Sequence, residues 1–151
     1  MTANRTGAKP IEVAVRRHSL KYEPPDTIVV VLQGSVDEED AAIISKHMVD
    51  WFEGAPCLLV IVDIRQLSSM PQQVRKVGAS VGNRLPPRAT AVVGGSFAMR
   101  MLIDLVLRAS ELLGTKKRFT KHCPDEAAAR AWVAEMRPLL LATAGDGKGA
   151  R

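Results

Sequence analysis

The chain opens with short segments in which apolar residues either alternate with polar ones or run together. Residues 11–15 (IEVAV) place a branched apolar residue at every second position, which predicts a half-exposed strand. Residues 23–26 (EPPD) predict a turn, because proline fixes φ and lacks a backbone donor. Residues 27–32 (TIVVVL) are almost entirely β-branched and predict a central strand buried on both faces. We expect an antiparallel strand pair at this end of the chain.

A helix is predicted between this strand and the next apolar run. Ser35 and Glu38 have the spacing of a capping box, and Gly54 is a typical helix stop. The larger apolar residues between them share one side of the helix: Ile44, Met48, Trp51 and Phe52. Residues 57–62 (CLLVIV) then predict a second buried strand, which is expected to end at Asp63.

A second helix and a third strand follow. Ser69 and Gln72 bracket Pro71 in another capping box, and proline is favoured in a first helical turn. A narrow apolar stripe recurs at three- and four-residue steps: Val74, Val77, Val81 and Leu85. Pro86–Pro87 ends this helix, and residues 88–93 (RATAVV) predict a short strand.

The last third of the chain predicts a long helix, an edge strand and a final helix. The turn Gly94-Gly95-Ser96 leads into an apolar helix over residues 97–113. Residues 118–120 predict the edge strand. The final helix starts near Pro124 and has four core candidates: Ala129, Trp132, Val133 and Met136. Residues 143–151 are small, polar and glycine-rich, and are expected to be disordered.

Strands that alternate with helices are typical of an α/β fold with a layered sheet. We expect a mostly parallel sheet of about five strands, about four helices and an antiparallel N-terminal strand pair. The length of 151 residues suits one domain, at residues 10–142, after a flexible segment of residues 1–9. No apolar run approaches the roughly 18 residues of a transmembrane segment. The first ten residues lack the hydrophobic stretch of a signal peptide.

The net charge of +5 is unevenly distributed. Residues 1–60 hold 6 Lys+Arg and 9 Asp+Glu, a net charge of −3, whereas residues 61–151 hold 15 and 7, a net charge of +8. The positive charges are scattered and only 4% of the residues are aromatic, so a stacking platform for nucleic acid is not expected. A solvated basic face is the simplest interpretation.

Motifs for catalysis or metal binding are not found in the sequence. GxSxG, HExxH and GxxxxGK[ST] are absent, so we expect no enzyme, no metal and no cofactor. The histidines, His18, His47 and His122, lie on separate elements and are interpreted as surface or boundary residues. Cys57 and Cys123 are far apart in sequence, which predicts two reduced thiols in a cytoplasmic protein.

One candidate anion or ligand site follows the third strand. Gly94, Gly95 and Ser96 lie between a strand end and a helix start, where backbone N–H groups favour an anion. Arg100, one turn along, would add a charge-assisted contact. The alternative is an ordinary tight turn, because the segment lacks the GxGxxG pattern.

The long helix is more apolar than a surface helix requires. Its charged residues fall within an arc of about 80°: Arg100, Asp104, Arg108 and Glu111. We assign Leu102, Leu105 and Ala109 to the core face, and Met99, Ile103 and Val106 to an apolar interface. The second apolar face must be covered by the protein's own loops, by a second subunit in a homodimer, or by an apolar ligand.

Several segments together resemble the STAS-like proteins, and more closely their SpoIIAA-like (STAS/SEC14) branch. They are TIVVVLQG, SVDEED, LLVIVDIRQL, ATAVVGGSFAMRML and KRFTKHCPDEAAARAWV, and the resemblance extends over residues 10–137. The resemblance implies a SpoIIAA/STAS-like layered fold. In the related anti-sigma factor antagonists, a serine that starts the helix after an Asp-ended strand is phosphorylated by a kinase partner.

By position, the resemblance implies partner-binding or regulatory roles for Asp63, Ser68 and Ser69. The family's DSSG-type motif is replaced here by residues 66–71 (QLSSMP), so Ser69 is either a phosphosite or a plain N-cap. We therefore expect a non-enzymatic cytoplasmic regulatory module that acts through an unknown protein partner. The alternative is binding of a lipid or another small apolar ligand, as the SEC14-like side of the resemblance and the Met-rich long helix indicate.

Overall fold

Each buried run of the sequence becomes a strand of a single sheet. The computed structural model describes residues 9–72, 74, 76, 84–113 and 117–146. Its strands are β1 (Ile11–Val15), β2 (His18–Glu23), β3 (Thr27–Ser35), β4 (Leu58–Ser69), β5 (Arg88–Val93) and β6 (Arg118–Cys123). Its helices are α1 (Glu38–Phe52), α2 (Phe97–Leu113) and α3 (Glu126–Asp146).

The six strands lie in the sheet in their order along the chain. β1, β2 and β3 are antiparallel neighbours, whereas β3, β4, β5 and β6 pair in parallel. The predicted α/β class is therefore confirmed, with antiparallel strands at the N-terminal end and a parallel remainder. Three helices are complete among the described residues, and Gln72, Val74 and Lys76 are also helical.

β2 is a strand that the sequence analysis missed. Its inward-facing residues are His18, Leu20 and Tyr22, so it contains one aliphatic core residue and no apolar run. A two-residue turn joins β1 to β2, and Arg16 in this turn has a φ of 56°, in the left-handed region that such hairpin turns require. The sheet therefore has six strands, and β2 lies between the two strands that were expected to pair.

The predicted start of α1 has to be corrected. Asp37, not Ser35, is the N-cap, because β3 continues through Ser35. The Asp37 carboxylate accepts the Asp40 backbone N–H at 2.8 Å, and the Asp40 carboxylate accepts the Asp37 backbone N–H at 3.2 Å. This is a capping box with aspartate in both roles. The predicted stop is confirmed, since α1 ends at Phe52 and Gly54 has a φ of 83°.

β4 is longer than predicted. It passes through Asp63 and ends at Ser69, because Gln66, Leu67 and Ser69 pair with the last residues of β3. Ser69 is therefore a strand residue and not the N-cap of the next helix. Of the predicted stripe after it, Val74 and Leu85 are buried as expected, and Val77 and Val81 lie outside the described residues.

The central strands are buried on both faces because alternate residues enter two separate cores. Leu58 and Val60 of β4 face the first core, and Leu59 and Ile61 face the second. The first core is covered by α1 and α2, through residues that include Ala41, Val49, Phe52 and Ile103. The second is covered by α3, through Ala129, Val133 and Leu140, with Trp132 and Met136 packed beside them. Among the described helices, none is long and apolar enough to cross a lipid bilayer.

Candidate functional site

The long helix α2 has two apolar faces. Its inner face packs on the first core through Ile103, which is 7% exposed, and through Met99 and Leu107. Its outer face carries three apolar side chains at four-residue spacing: Phe97 (73% exposed), Met101 (48%) and Leu105 (51%). These three residues, here named the outer row, are about one helical turn apart and so form a continuous strip.

This arrangement corrects the predicted interface. Ile103 belongs to the core, and Met99 and Val106 are half-buried on the same side, so these residues do not form the exposed face. Leu105, which was assigned to the core, is exposed instead. The predicted second apolar face is present, but it consists of the outer row.

A charged row runs beside the outer row on α2. Asp104 accepts a hydrogen bond from His122 Nε2 of β6 at 2.8 Å, which fixes this side of the helix against the edge strand. Arg100 and Arg108 are exposed on either side of Asp104, and neither has an ion pair with any described residue. The exposed surface of α2 therefore combines a strip of apolar side chains with two available positive charges.

A cavity of about 190 Å³ lies beneath the inner face of α2. The sheet lines it with Val30 and Leu32 of β3, Val60 and Val62 of β4, and Arg88 and Thr90 of β5. The helices line it with residues that include Ile44, Ser45 and Met48 of α1 and Ile103 and Val106 of α2. Ser45, Arg88 and Thr90 are its polar lining residues, and the rest of the described lining is apolar.

The turn before α2 is explained by packing. Gly94 and Gly95 have φ values of 72° and 89°, in the region that favours glycine. A Cβ atom on Gly94 would lie 2.1 Å from Arg65 Cγ, and one on Gly95 would lie 2.5 Å from Ile64 Cδ1. Both glycines are therefore required by the close approach of β4.

Ser96 has a local partner as well. Its hydroxyl oxygen accepts the Met99 backbone N–H at 3.2 Å, as an N-cap residue does. The Gly94 N–H is also used, since it donates to the Cys123 carbonyl at 3.3 Å. Anion binding by Gly94, Gly95, Ser96 and Arg100 stays a prediction.

Asp63 and the two serines are well separated. Asp63 is six positions before Ser69 on β4, which corresponds to about 20 Å along an extended strand. Its carboxylate accepts the Arg65 backbone N–H at 3.0 Å and Arg65 Nη2 at 2.7 Å. These hydrogen bonds from Arg65 hold the pKa of Asp63 below its ordinary value.

The serines lie on the extension of β4. Ser68 and Ser69 are exposed, and the Ser69 hydroxyl donates to the Ser35 hydroxyl at 2.9 Å. The interpretation of Ser69 as the N-cap of the next helix is therefore wrong, because the residue belongs to β4. Phosphorylation at either serine stays a prediction.

A polar pocket of about 290 Å³ beside α1 was missed in the sequence. It is lined by Arg16, Arg17, His18, Ser35, Asp37 and Asp40. His18 is buried, so its interpretation as a surface or boundary residue is wrong. Its Nδ1 accepts the Gln33 backbone N–H at 3.1 Å, and its Nε2 donates to Asp40 Oδ2 at 3.2 Å.

This arrangement holds the β1–β2 turn against the start of α1. Arg16 strengthens it through ion pairs with Asp37 and Glu39. The sequence contained no signal for the pocket, because its residues come together only when β2 is present. In the described ranges, no group of three or more His, Cys, Asp or Glu side chains could hold a metal ion.

The chain matches no protein-family model and no curated protein sequence. The resemblance to STAS-like proteins therefore stays a prediction from the sequence segments.

Proposed function

We propose that this protein is a non-enzymatic, cytoplasmic regulatory module that acts by binding another protein through the outer face of α2. The observation that supports this proposal is the outer row, in which Phe97, Met101 and Leu105 are all about half exposed or more. Large apolar side chains grouped in one strip on an otherwise charged surface are typical of interaction sites. Aromatic and methionine side chains are also enriched in protein interfaces.

The neighbouring charges indicate the chemistry of the partner. Arg100 and Arg108 lie in the charged row beside the outer row and have no ion pair with a described residue that would neutralise them. A partner with an apolar centre and carboxylates at its rim would bury the outer row while pairing with both guanidinium groups. A second copy of this chain is one such candidate, because the protein also has exposed acidic residues such as Glu38.

The cytoplasmic part of the proposal is supported by the cysteines. Cys57 and Cys123 are both free and buried in the second core, and neither forms a disulfide. Burial raises the pKa of the Cys57 thiol to about 11, and the neighbouring Asp26 carboxylate contributes to the shift. Such thiols are unreactive core residues, as expected for a protein of a reducing compartment.

Comparative capture from the native host tests the proposal. Three baits are used: wild type, Met101→Lys in the outer row, and Leu141→Lys, which changes an exposed apolar residue of α3 on the other side of the sheet. We expect a protein that wild type and Leu141→Lys both retain and that Met101→Lys loses. Equal retention by all three baits would contradict the proposal. Light scattering of the same proteins tests whether the partner is a second copy of this chain, since Met101→Lys would dissociate a homodimer.

A further inference from the structure

The cavity between the sheet and the helices α1 and α2 is partly open to solvent and lined mostly by apolar side chains. Packed elements rarely leave a space much larger than a water molecule between them. This cavity has a volume of about 190 Å³, and an engineered apolar cavity of about 150 Å³ in another protein binds benzene. The space is therefore sufficient for a whole small molecule.

The lining determines which class of molecule would bind in the cavity with the most favourable free energy. Val30, Val60 and Ile103 are typical of the wall, which is aliphatic on both its sheet side and its helix side. Water needs roughly two to four polar partners in a buried site, and such a wall provides few. An apolar molecule would instead gain dispersion contacts with the surrounding side chains and would lose its own contact with water.

The polar lining residues set the limit on polar groups in the ligand. Arg88 of β5 uses its guanidinium to donate to the Pro86 carbonyl at 3.4 Å. The other two polar lining residues, Ser45 of α1 and Thr90 of β5, are buried hydroxyl residues. A hydroxyl group both donates and accepts hydrogen bonds, so either residue can pair with one hydroxyl of a ligand. A ligand with several polar groups would leave most of them unpaired, at a cost in binding free energy.

We propose that this cavity binds a compact apolar molecule of about six to eight non-hydrogen atoms, either a short alkyl chain or a single hydrocarbon ring, with at most one hydroxyl group. This site is separate from the outer row, which lies on the opposite face of α2. Binding in the cavity can therefore be tested with the outer row unchanged.

The test uses two probes of similar length, 1-hexanol and 1,6-hexanediol, and measures the melting temperature of the full chain. 1-Hexanol is expected to raise the melting temperature by about 5 °C when it is present at roughly 100 times its Kd. 1,6-Hexanediol is expected to raise the melting temperature much less, because moving a second hydroxyl from water into a largely apolar site costs desolvation free energy that a hydrogen bond to the wall only partly offsets. No rise with 1-hexanol, or equal rises with both probes, would overturn the proposal.

Two variants of α1 locate the binding site. Ala41→Leu adds a larger side chain to the cavity wall, and Ala42→Leu adds the same side chain at the neighbouring exposed position. We expect Ala41→Leu to lose more than half of the 1-hexanol effect and Ala42→Leu to keep all of it. Circular dichroism establishes that each variant is folded, and Ser45→Leu replaces Ala41→Leu if that variant does not fold. A folded cavity variant that responds as the wild type does would overturn the proposal.

Discussion

Arg137 on α3 donates two hydrogen bonds to the carboxylate of Asp26, from Nε at 2.7 Å and from Nη2 at 3.1 Å. Asp26 is only 6% exposed and also accepts hydrogen bonds from the Thr27 hydroxyl and the Cys57 thiol. Its backbone carbonyl accepts the Leu59 N–H at 2.8 Å. This one residue therefore connects the β2–β3 turn, the start of β4 and the helix that covers the second core.

The burial of Asp26 predicts unequal effects for two arginines of α3. Arg137→Leu leaves a buried carboxylate without its cation, which is expected to lower the free energy of unfolding by about 2–3 kcal/mol. Arg130→Leu removes a similar pair of hydrogen bonds, to the more exposed carboxylate of Glu23. It should lower the free energy of unfolding by less than about 1 kcal/mol. Urea unfolding of both variants measures the difference, and equal losses would show that the burial of Asp26 is not the cause.

The corrected start of α1 makes a second prediction. Asp37→Ala removes the N-cap and one half of the capping box, and should lower the free energy of unfolding by about 1 kcal/mol. Ser35→Ala removes an exposed hydroxyl at the end of β3 and should change the free energy of unfolding by no more than about 0.5 kcal/mol. Denaturant unfolding compares the two. A larger cost at Ser35 than at Asp37 would contradict this assignment of the helix start.

The glycines before α2 provide a third prediction. Gly94→Ala is expected to destabilise the protein more than Gly54→Ala, although both residues have positive φ values. Gly54 has no atom within 4 Å of an added Cβ, so its replacement costs only the backbone strain of about 1–2 kcal/mol. At Gly94 the same strain is joined by a clash with Arg65. Thermal unfolding measures both variants, and identical melting temperatures would contradict the close packing of this turn.

The ion pair between Glu23 and Arg130 predicts part of the acid sensitivity. Hydrogen bonds from Arg130 hold the pKa of Glu23 below its usual value in the folded protein. Its contribution to stability is therefore present above the unfolded-state pKa and is lost as the pH falls through the folded-state pKa. Stability measured from about pH 5 to about pH 3 should fall less steeply in Glu23→Gln than in wild type.

Removal of the partner provides the control for this pH effect. Arg130→Leu removes the group that lowers the Glu23 pKa. It should therefore reduce the loss of stability between about pH 5 and about pH 3 to a similar extent as Glu23→Gln. Unchanged slopes in both variants would exclude a contribution from this pair.

The sequence predicted the elements that depend on local composition. β3 and β4 are continuous apolar runs, and their double burial follows from the alternate entry of Leu58 and Leu59 into the two cores. β2 was missed because its inward positions include His18 and Tyr22, which are buried only once Asp40 and α1 are in place. The helix start at Asp37 was missed for a related reason, since strand pairing extends β3 through Ser35.

The orientation of α2 could not be derived from helical periodicity. Both of its faces are apolar, so the spacing of Ile103 and Leu105 does not reveal which one meets the sheet. The side chain of Asp104, bound to His122 of β6, helps to fix this rotation, and that contact joins residues 18 positions apart. The sequence thus predicted an additional apolar face correctly but assigned the wrong residues to it.

Site-specific photo-crosslinking in living cells of the native host tests the central proposal most directly. A photoreactive amino acid replaces Met101 in the outer row or, as a matched control, Leu141 on α3. We expect position 101 to form a covalent adduct with a defined protein, either a partner or a second copy of this chain, and position 141 to form no such adduct. The absence of an adduct at position 101, or the same set of adducts from both positions, would contradict the proposal that the outer face of α2 binds another protein.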